Sequence, residues 1–141
     1  MPPLSAAMQP ASWQLLTAAR TLWQEARGEP EEGRKAVAHV LWNRVKAGRW
    51  GGTLASVCLW RAQFSGWLPA DPNFEAACAL PDDDPVLAQM IAILRAAAHD
   101  ADPTGGATHY HATSLHAPPA WTRAATFCGV FGHQRFFKDV P

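Results

Sequence analysis

The sequence lacks an excess of charge of either sign, because Lys plus Arg and Asp plus Glu each total 12 in 141 residues. It therefore has no strong basic field for a phosphate backbone, and we expect no nucleic-acid partner. It also lacks a long apolar run, since the stretch from Val86 to Ala98 is interrupted by Gln89 and Arg95. A membrane helix needs about 20 apolar residues, so we expect no stable membrane insertion.

The cysteines and the first residues of the sequence bear on the cellular compartment. The three cysteines, Cys58, Cys78 and Cys128, are odd in number and have no paired spacing, which argues against a disulfide framework. We expect buried free thiols, which suit a reducing compartment. Residues 1–5 have neither the basic nor the apolar region of a secretory signal, so we expect synthesis in the cytoplasm without a signal peptide.

The sequence does contain a hydrophobic fraction of 48%, enough for one globular domain with a real core. Apolar residues recur at helical spacing in several stretches that have recognisable start and stop residues. They predict helices from Ser12 to about Ala26, Pro30 to Gly48, Thr53 to about Trp60, around Asn73–Ala79, and from Asp84 to near Asp100.

The last third of the chain reads differently. Residues 107–112 alternate as a short strand would, and two aromatic-rich segments, 127–131 and 134–137, flank Gly132 and His133. The predicted fold is mostly α (α+β), a single domain over residues 12–141 with a small β element in its C-terminal third. Residues 1–11 are predicted to be a flexible N-terminal arm.

The stretch Glu25-Ala26-Arg27-Gly28-Glu29-Pro30 offers the best candidate for chemistry. Glu25 lies near a helix end, Gly28 is predicted to end that helix in the left-handed conformation, and a second helix follows. A carboxylic acid can protonate the bridging oxygen of a glycosidic bond if apolar surroundings raise its pKa. Trp23, with Phe64 or Trp67 from a loop, could supply such surroundings. A lone Glu at a helix end is otherwise usually a solvated charge.

Longer motifs change that reading. The Glu25–Pro30 stretch, followed by A-V-A-H-V-L-W-N-R-V at 36–45, resembles the SleB-type cell-wall hydrolases, which include spore-cortex-lytic enzymes and phage endolysins. Gln63-Phe64-Ser65 is similar to the family's Q-F-S segment, and residues 102–110 are similar to its D-P-T-x-G-A-x-x-Y segment. Trp121, and Gly132-His133 followed by Phe136, resemble its C-terminal elements more loosely. The resemblance covers roughly residues 17–137.

The resemblance implies a lysozyme-like domain related to goose lysozyme and lytic transglycosylases. It implies Glu25 as the general acid/base and the β-1,4 bond between N-acetylmuramic acid and N-acetylglucosamine in peptidoglycan glycan strands as the target. We expect no cofactor, no metal and a monomer. The candidate substrate-binding residues are Gln63, Phe64, Ser65, Tyr110, Trp121 and His133. His133 could equally orient a loop.

A second carboxylate is harder to find. Glu29 is expected on the outer turn beyond the helix, and Asp71, Glu75 and Asp82–Asp84 are expected in unanchored loops. A two-carboxylate hydrolase needs such a partner, whereas the resemblance implies that a lytic transglycosylase works with one Glu and gives 1,6-anhydromuramoyl products. We therefore favour the transglycosylase, with a hydrolytic muramidase as the alternative.

Other polar residues have less specific interpretations. Arg27 and Arg44 are expected to form helix-surface ion pairs. Asn43 is expected to brace the turn that carries Glu25.

Two rival functions remain open. His109 and His111 would share a face of a strand, and His116, His133 or Cys128 could complete the zinc site of an amidase or peptidase. The seven tryptophans would instead suit a non-catalytic wall-binding module. As for origin, a phage endolysin that reaches the wall through a holin pore is the main hypothesis, and a bacterial enzyme exported by another route is the alternative.

Overall fold

The computed structural model describes residues 12–61 and 63–141. The predicted N-terminal arm, residues 1–11, lies outside the described residues. Within these described residues five α-helices come first, and three β-strands follow them. The helices are α1 (Trp13–Ala26), α2 (Glu31–Ala47), α3 (Leu54–Cys58), α4 (Pro72–Ala79) and α5 (Pro85–Ala97), and the strands are β1 (His109–Ala112), β2 (Thr126–Phe131) and β3 (Gln134–Lys138). Short 3-10 helices cover Ser65–Trp67 and Ala120–Ala124. The predicted mostly α fold with a small C-terminal β element is confirmed.

The helix boundaries follow from local chemistry. Ser12 caps α1 by accepting a hydrogen bond from the Leu15 amide at 3.2 Å. Asp84 caps α5 in the same way, and Pro85 takes its first position. Gly48 ends α2 with φ of 76°, a left-handed value that favours glycine. These three predicted boundaries are confirmed.

The predicted stop at Gly28 is wrong. Helix α1 ends at Ala26, and its capping residue Arg27 keeps a right-handed helical conformation, with φ of −60°. Gly28 is absent from the glycines with positive φ in the described chain. At the end of α1 the Arg34 side chain donates to the Ala26 and Arg27 carbonyls. Pro30, extended at φ −64° and ψ 168°, then caps α2 and disfavours a helical conformation for the residue before it.

The core lies between α1, α2 and α5. Fully buried side chains on one stripe of each helix interlock there, and Phe136 of β3 joins them. The largest are Leu22, Val37, Val40, Leu41, Leu87, Met90, Leu94 and Phe136. Burying an aliphatic side chain of this size contributes about 1.5–3 kcal/mol, so this cluster holds α1 and α2 firmly in place.

The sheet is antiparallel in the order β1-β3-β2. Tyr110 lies opposite Phe136, and both project toward the helices, whereas His109 and His111 project to the other face. The register of β2 shifts between Phe127 and Gly129, a bulge that bends this strand. Strand β1 is thus an edge strand that presents Tyr110 to the helical core.

Cysteine burial differs from the expectation. Cys58 is buried, and burial raises the pKa of its thiol to about 12. Cys78 is exposed on α4, so the prediction of a buried thiol is wrong there, and Cys128 is half-buried. Separately, none of the helices in residues 12–61 and 63–141 has the length and hydropathy that a bilayer span requires.

Candidate active site

Glu25 lies in the last turn of α1, and its side chain lines a cavity of about 180 Å³. Three other parts of the fold converge on it: α2, the loop after α3, and the edge strand β1 with the 3-10 helix that follows. The cavity is lined by Glu25, Arg44, Gln63, Phe64, His109, Tyr110 and Trp121. A carboxyl group, a guanidinium and aromatic walls thus share one small space.

Burial raises the pKa of the Glu25 carboxyl above its ordinary value. The Tyr110 hydroxyl, which donates a hydrogen bond to Glu25 Oε1, and the Arg44 guanidinium both oppose that rise, and the negative charge of Asp71 adds to it. The net shift is upward. Glu25 therefore holds its proton to a higher pH than a solvated glutamate, and its carboxylate has two stabilising partners once the proton leaves.

Tyr110 is fixed by the sheet. Its ring packs against Phe136 at 5.4 Å between centroids, and its strand register places it directly opposite that residue. Burial raises the pKa of the Tyr110 hydroxyl well above its ordinary value, and the neighbouring Glu25 charge adds to the shift. The hydroxyl therefore stays protonated and serves as a hydrogen-bond donor to Glu25.

Arg44 is a buried part of the site, with only 5% of its surface exposed. Its Nε donates to the Thr108 carbonyl at 2.7 Å, and one terminal nitrogen donates to Gln63 Oε1 at 3.1 Å. The guanidinium also lies 4.6 Å from the Trp50 ring centroid. The predicted helix-surface ion pair is therefore wrong for Arg44. The side chain instead joins Thr108, just before β1, and Gln63 to α2.

His109 closes one wall of the cavity as an uncharged aromatic ring. Its ring lies 5.7 Å from that of Trp50 and 5.2 Å from that of Trp121. Burial lowers its pKa to about 4, and the charges of Arg44 and Arg49 act in the same direction. The imidazole is therefore neutral near pH 7.

The alternative of a zinc site requires a cluster of ligand side chains, and the described part of the chain has none. There, no three side chains of the types His, Cys, Asp and Glu are grouped so that they could hold a metal ion. The ring of His111 stacks on Phe137 at 5.4 Å and meets Trp121 edge-on at 5.9 Å. Both histidines of this strand thus pack among aromatic rings.

The candidate substrate-binding residues divide into two groups. The cavity beside Glu25 is lined by the first group, which comprises Gln63, Phe64, Tyr110 and Trp121. Phe64 is buried, and the Gln63 side-chain oxygen accepts a hydrogen bond from Arg44. Ser65 and His133 do not line it. Ser65 is exposed at the start of the first 3-10 helix, and the exposed His133 lies in the turn between β2 and β3.

Glu29 contradicts the expectation of an outer turn, because only 7% of it is exposed. Its carboxylate accepts hydrogen bonds from the His133 amide at 3.2 and 3.3 Å and lies 2.6 Å from His133 Nδ1. Glu32 accepts a further bond from the Gly132 amide at 3.3 Å. The start of α2 therefore holds the β2–β3 turn, and His133 has a loop-orienting contact.

Asn43 also differs from its expected role. Its amide donates to Asp102 Oδ2 at 2.8 Å and to the Ala107 carbonyl at 2.9 Å, so it braces the 102–107 turn and not the turn after Glu25. Burial alone would raise the pKa of Asp102, but hydrogen bonds from Asn43, Thr104 and the Gly106 amide lower it overall. This turn leads directly into β1 and so fixes the strand that carries Tyr110.

Asp71 is anchored, contrary to the expected loose loop. It caps α4, and its carboxylate accepts a hydrogen bond from the Asn73 amide at 2.8 Å. Trp67, expected as a wall for Glu25, instead donates to Thr21 Oγ1 at 2.8 Å and packs edge-on against Phe74. Asp71 acts on Glu25 through its charge, and it is not among the residues that line the cavity.

The sequence signal that would have identified Arg44 was its place in an apolar stripe. It continues the series Ala36, Val37, Val40 and Leu41 on the buried side of α2, and a charge on such a face needs a buried partner. His109 lies next to Tyr110, but nothing in the sequence shows that Trp50 and Trp121 enclose it.

Comparison with known proteins places these features in context. The family model described as Cell Wall Hydrolase matches residues 28–137, a range that begins three residues after Glu25. The catalytic domain of the germination-specific lytic transglycosylase SleB from Bacillus anthracis is similar in structure, with a TM-score of 0.69 and 24% identity over 92% of this chain and 98% of that one. The catalytic domain of the Bacillus cereus SleB protein is also similar in structure, with a TM-score of 0.70 and 22% identity over 97% of this chain and 100% of that one. No curated protein matches the sequence.

Proposed function

Since the chain belongs to the Cell Wall Hydrolase family, we propose that it is a lytic transglycosylase that cleaves the β-1,4 bond between N-acetylmuramic acid and N-acetylglucosamine in peptidoglycan. The observation that carries the proposal is that Glu25 is the one carboxyl group lining the described cavity and has a raised pKa. The lytic transglycosylase from Bacillus anthracis with a similar fold supports the same reaction.

In the first step Glu25 acts as the acid. Its proton passes to the bridging oxygen as the bond from that oxygen to C1 of the muramoyl residue breaks, leaving positive charge on C1. Glu25 becomes a carboxylate at that moment, when the Tyr110 hydroxyl and the Arg44 guanidinium stabilise it most strongly. Interactions that strengthen in the transition state are the ones that accelerate the step.

In the second step the same carboxylate acts as the base. The 6-hydroxyl oxygen of the muramoyl residue bonds to C1, and its proton passes to Glu25. A 1,6-anhydro ring closes, the acid is regenerated, and no water is consumed. One group serves both steps, so the reaction needs no second carboxylate.

Hydrolysis by a muramidase is the second candidate, and Asp71 is the observation that favours it. This carboxylate is close enough for its charge to raise the pKa of Glu25. A hydrolase would use a second acid to activate water or stabilise C1. Against this role, Asp71 is engaged with the Asn73 amide and does not line the cavity.

The proposal extends to where the protein acts. It is synthesised in the cytoplasm and reaches the wall as a monomer after release, through a holin pore if its origin is a phage. The three free cysteines suit synthesis in a reducing compartment. Expression in a bacterial host with and without a pore-forming protein tests this release, since lysis is expected only when the two are present together.

The reaction itself is tested by digesting purified peptidoglycan and identifying the products by mass spectrometry. The wild type should release anhydro-muropeptides, and Glu25→Gln, which keeps the shape but loses the acid, should release almost none. Glu75→Gln is the matched control, because Glu75 is exposed in the first turn of α4. Continued lysis by Glu25→Gln would reject Glu25 as the acid.

A further inference from the structure

A second cavity, of about 460 Å³, opens on the outer face of the sheet. It lies between β1, β3 and the connection that runs from Thr113 to Thr122. Its volume falls within the range of about 300–1,000 Å³ that is typical of ligand pockets. It is more than twice as large as the cavity that holds Glu25.

The two cavities are neighbours. Trp121 lines the Glu25 cavity. Its ring centroid lies 5.9 Å from that of His111 and 5.3 Å from that of Phe137, and these two residues line the second cavity. His109 of the first cavity and His111 of the second are two residues apart on β1, which is roughly 6–7 Å along a strand. A substituent on a sugar bound beside Glu25 could therefore extend past Trp121.

The lining of the second cavity is suited to anions. Arg135 lies opposite His111 in the register of β1 and β3, so the two side chains share one face. His116 and the hydroxyl of Thr113 add hydrogen-bonding groups, whereas the Thr122 hydroxyl already donates to the Pro119 carbonyl at 2.7 Å. The lining contains no carboxylate. In the described residues no acidic side chain is paired with the exposed Arg135, whose guanidinium lies 5.9 Å from the Phe127 ring centroid. An arginine is charged at any physiological pH and binds carboxylates in a fixed geometry.

We propose that the cavity beyond Trp121 is a subsite for the anionic stem peptide carried by the muramoyl residue, with Arg135 binding a carboxylate of that peptide. This inference rests on the proposed function, because it takes the muramoyl residue to bind beside Glu25. The subsite makes the protein selective for glycan that still carries its peptides over bare glycan strands. Phe127 and Phe137 form the apolar floor against which the peptide packs.

The test measures binding and cleavage separately. Affinities of Glu25→Gln are measured by calorimetry for a soluble muropeptide and for the same disaccharide without its peptide. The peptide should improve the affinity about tenfold, and Arg135→Gln in that background should remove the improvement. Arg135→Lys should retain part of it, and Lys35→Gln, which removes one exposed positive charge from α2, should leave it unchanged.

Cleavage is then compared on peptide-bearing strands and on strands stripped by an amidase. In the otherwise wild-type protein, Arg135→Gln should raise KM about tenfold on the peptide-bearing strands only, with kcat little changed. Equal affinity for the two disaccharides, or an equal loss on both kinds of strand, would overturn the subsite. Peptide-dependent binding without any cleavage by the wild type would support the subsite and reject the proposed reaction.

Discussion

Replacing Tyr110 by Phe removes one hydroxyl from the site and keeps the ring that packs on Phe136. That hydroxyl donates to the Glu25 carboxyl, and a hydrogen bond to a charged group contributes about 1.5–3 kcal/mol. Glu25 becomes charged as it protonates the leaving oxygen, so this energy is lost mainly from the transition state. At a pH where Glu25 is protonated in both proteins, kcat/KM should fall roughly ten- to hundredfold.

The same variant should change the pH dependence in a defined direction. The first step needs protonated Glu25, so activity falls as pH rises through the pKa of that group. The Tyr110 hydrogen bond lowers this pKa, and its removal must raise it. The alkaline limb of kcat/KM for Tyr110→Phe should therefore move to higher pH. Initial rates of peptidoglycan clearing, measured across the pH range, give both quantities.

The control removes a hydroxyl elsewhere on the sheet. Thr126→Val loses the hydrogen bond from Thr126 to Asp139, which does not involve Glu25. The alkaline limb of kcat/KM for this variant should therefore stay where it is in the wild type. Thermal unfolding of each variant separates a change in chemistry from a loss of fold. A limb that stays in place or moves to lower pH in Tyr110→Phe would refute the pairing of this hydroxyl with the acid.

Two further predictions concern the neighbouring carboxylates. Asp71→Asn removes a charge that raises the pKa of Glu25, so the alkaline limb of kcat/KM should move to lower pH. The products should remain anhydro-muropeptides. Loss of nearly all activity at every pH would instead give Asp71 the role of a second acid. Asn43→Ala removes two hydrogen bonds behind β1 and should cost about 1–3 kcal/mol in the free energy of unfolding, measured with denaturant. Because the folded pKa of Asp102 is lowered, its stabilising effect is present near neutral pH and lost as pH falls through that pKa. The variant should therefore lose less stability on acidification than the wild type, and an unchanged acid dependence would contradict the pairing.

The helices were predictable because their signals are local. Ser12, Asp84 and Gly48 act on atoms within a few residues, and apolar spacing marks the buried stripe of each helix. The sequence motifs also identified much of the cavity. Four of their residues line it beside Glu25, namely Gln63, Phe64, Tyr110 and Trp121.

Glu29 and Arg44 were misjudged for a different reason, which is that their partners lie far away along the chain. Glu29 is buried because His133, 104 positions later, donates to it, and nothing near Glu29 in sequence signals that turn. Arg44 depends in the same way on the Thr108 carbonyl, 64 positions away. Local propensity describes a charged residue near a helix end as solvated, and only the tertiary fold supplies the partner that makes its burial favourable.

The most direct test of the central claim is digestion of purified peptidoglycan in heavy-oxygen water. A lone Glu25 that protonates the bridging oxygen and then deprotonates the 6-hydroxyl predicts anhydro-muropeptides that contain no label. Reducing muropeptides that carry one heavy oxygen at C1 would show that water attacked instead, and would contradict the transglycosylase.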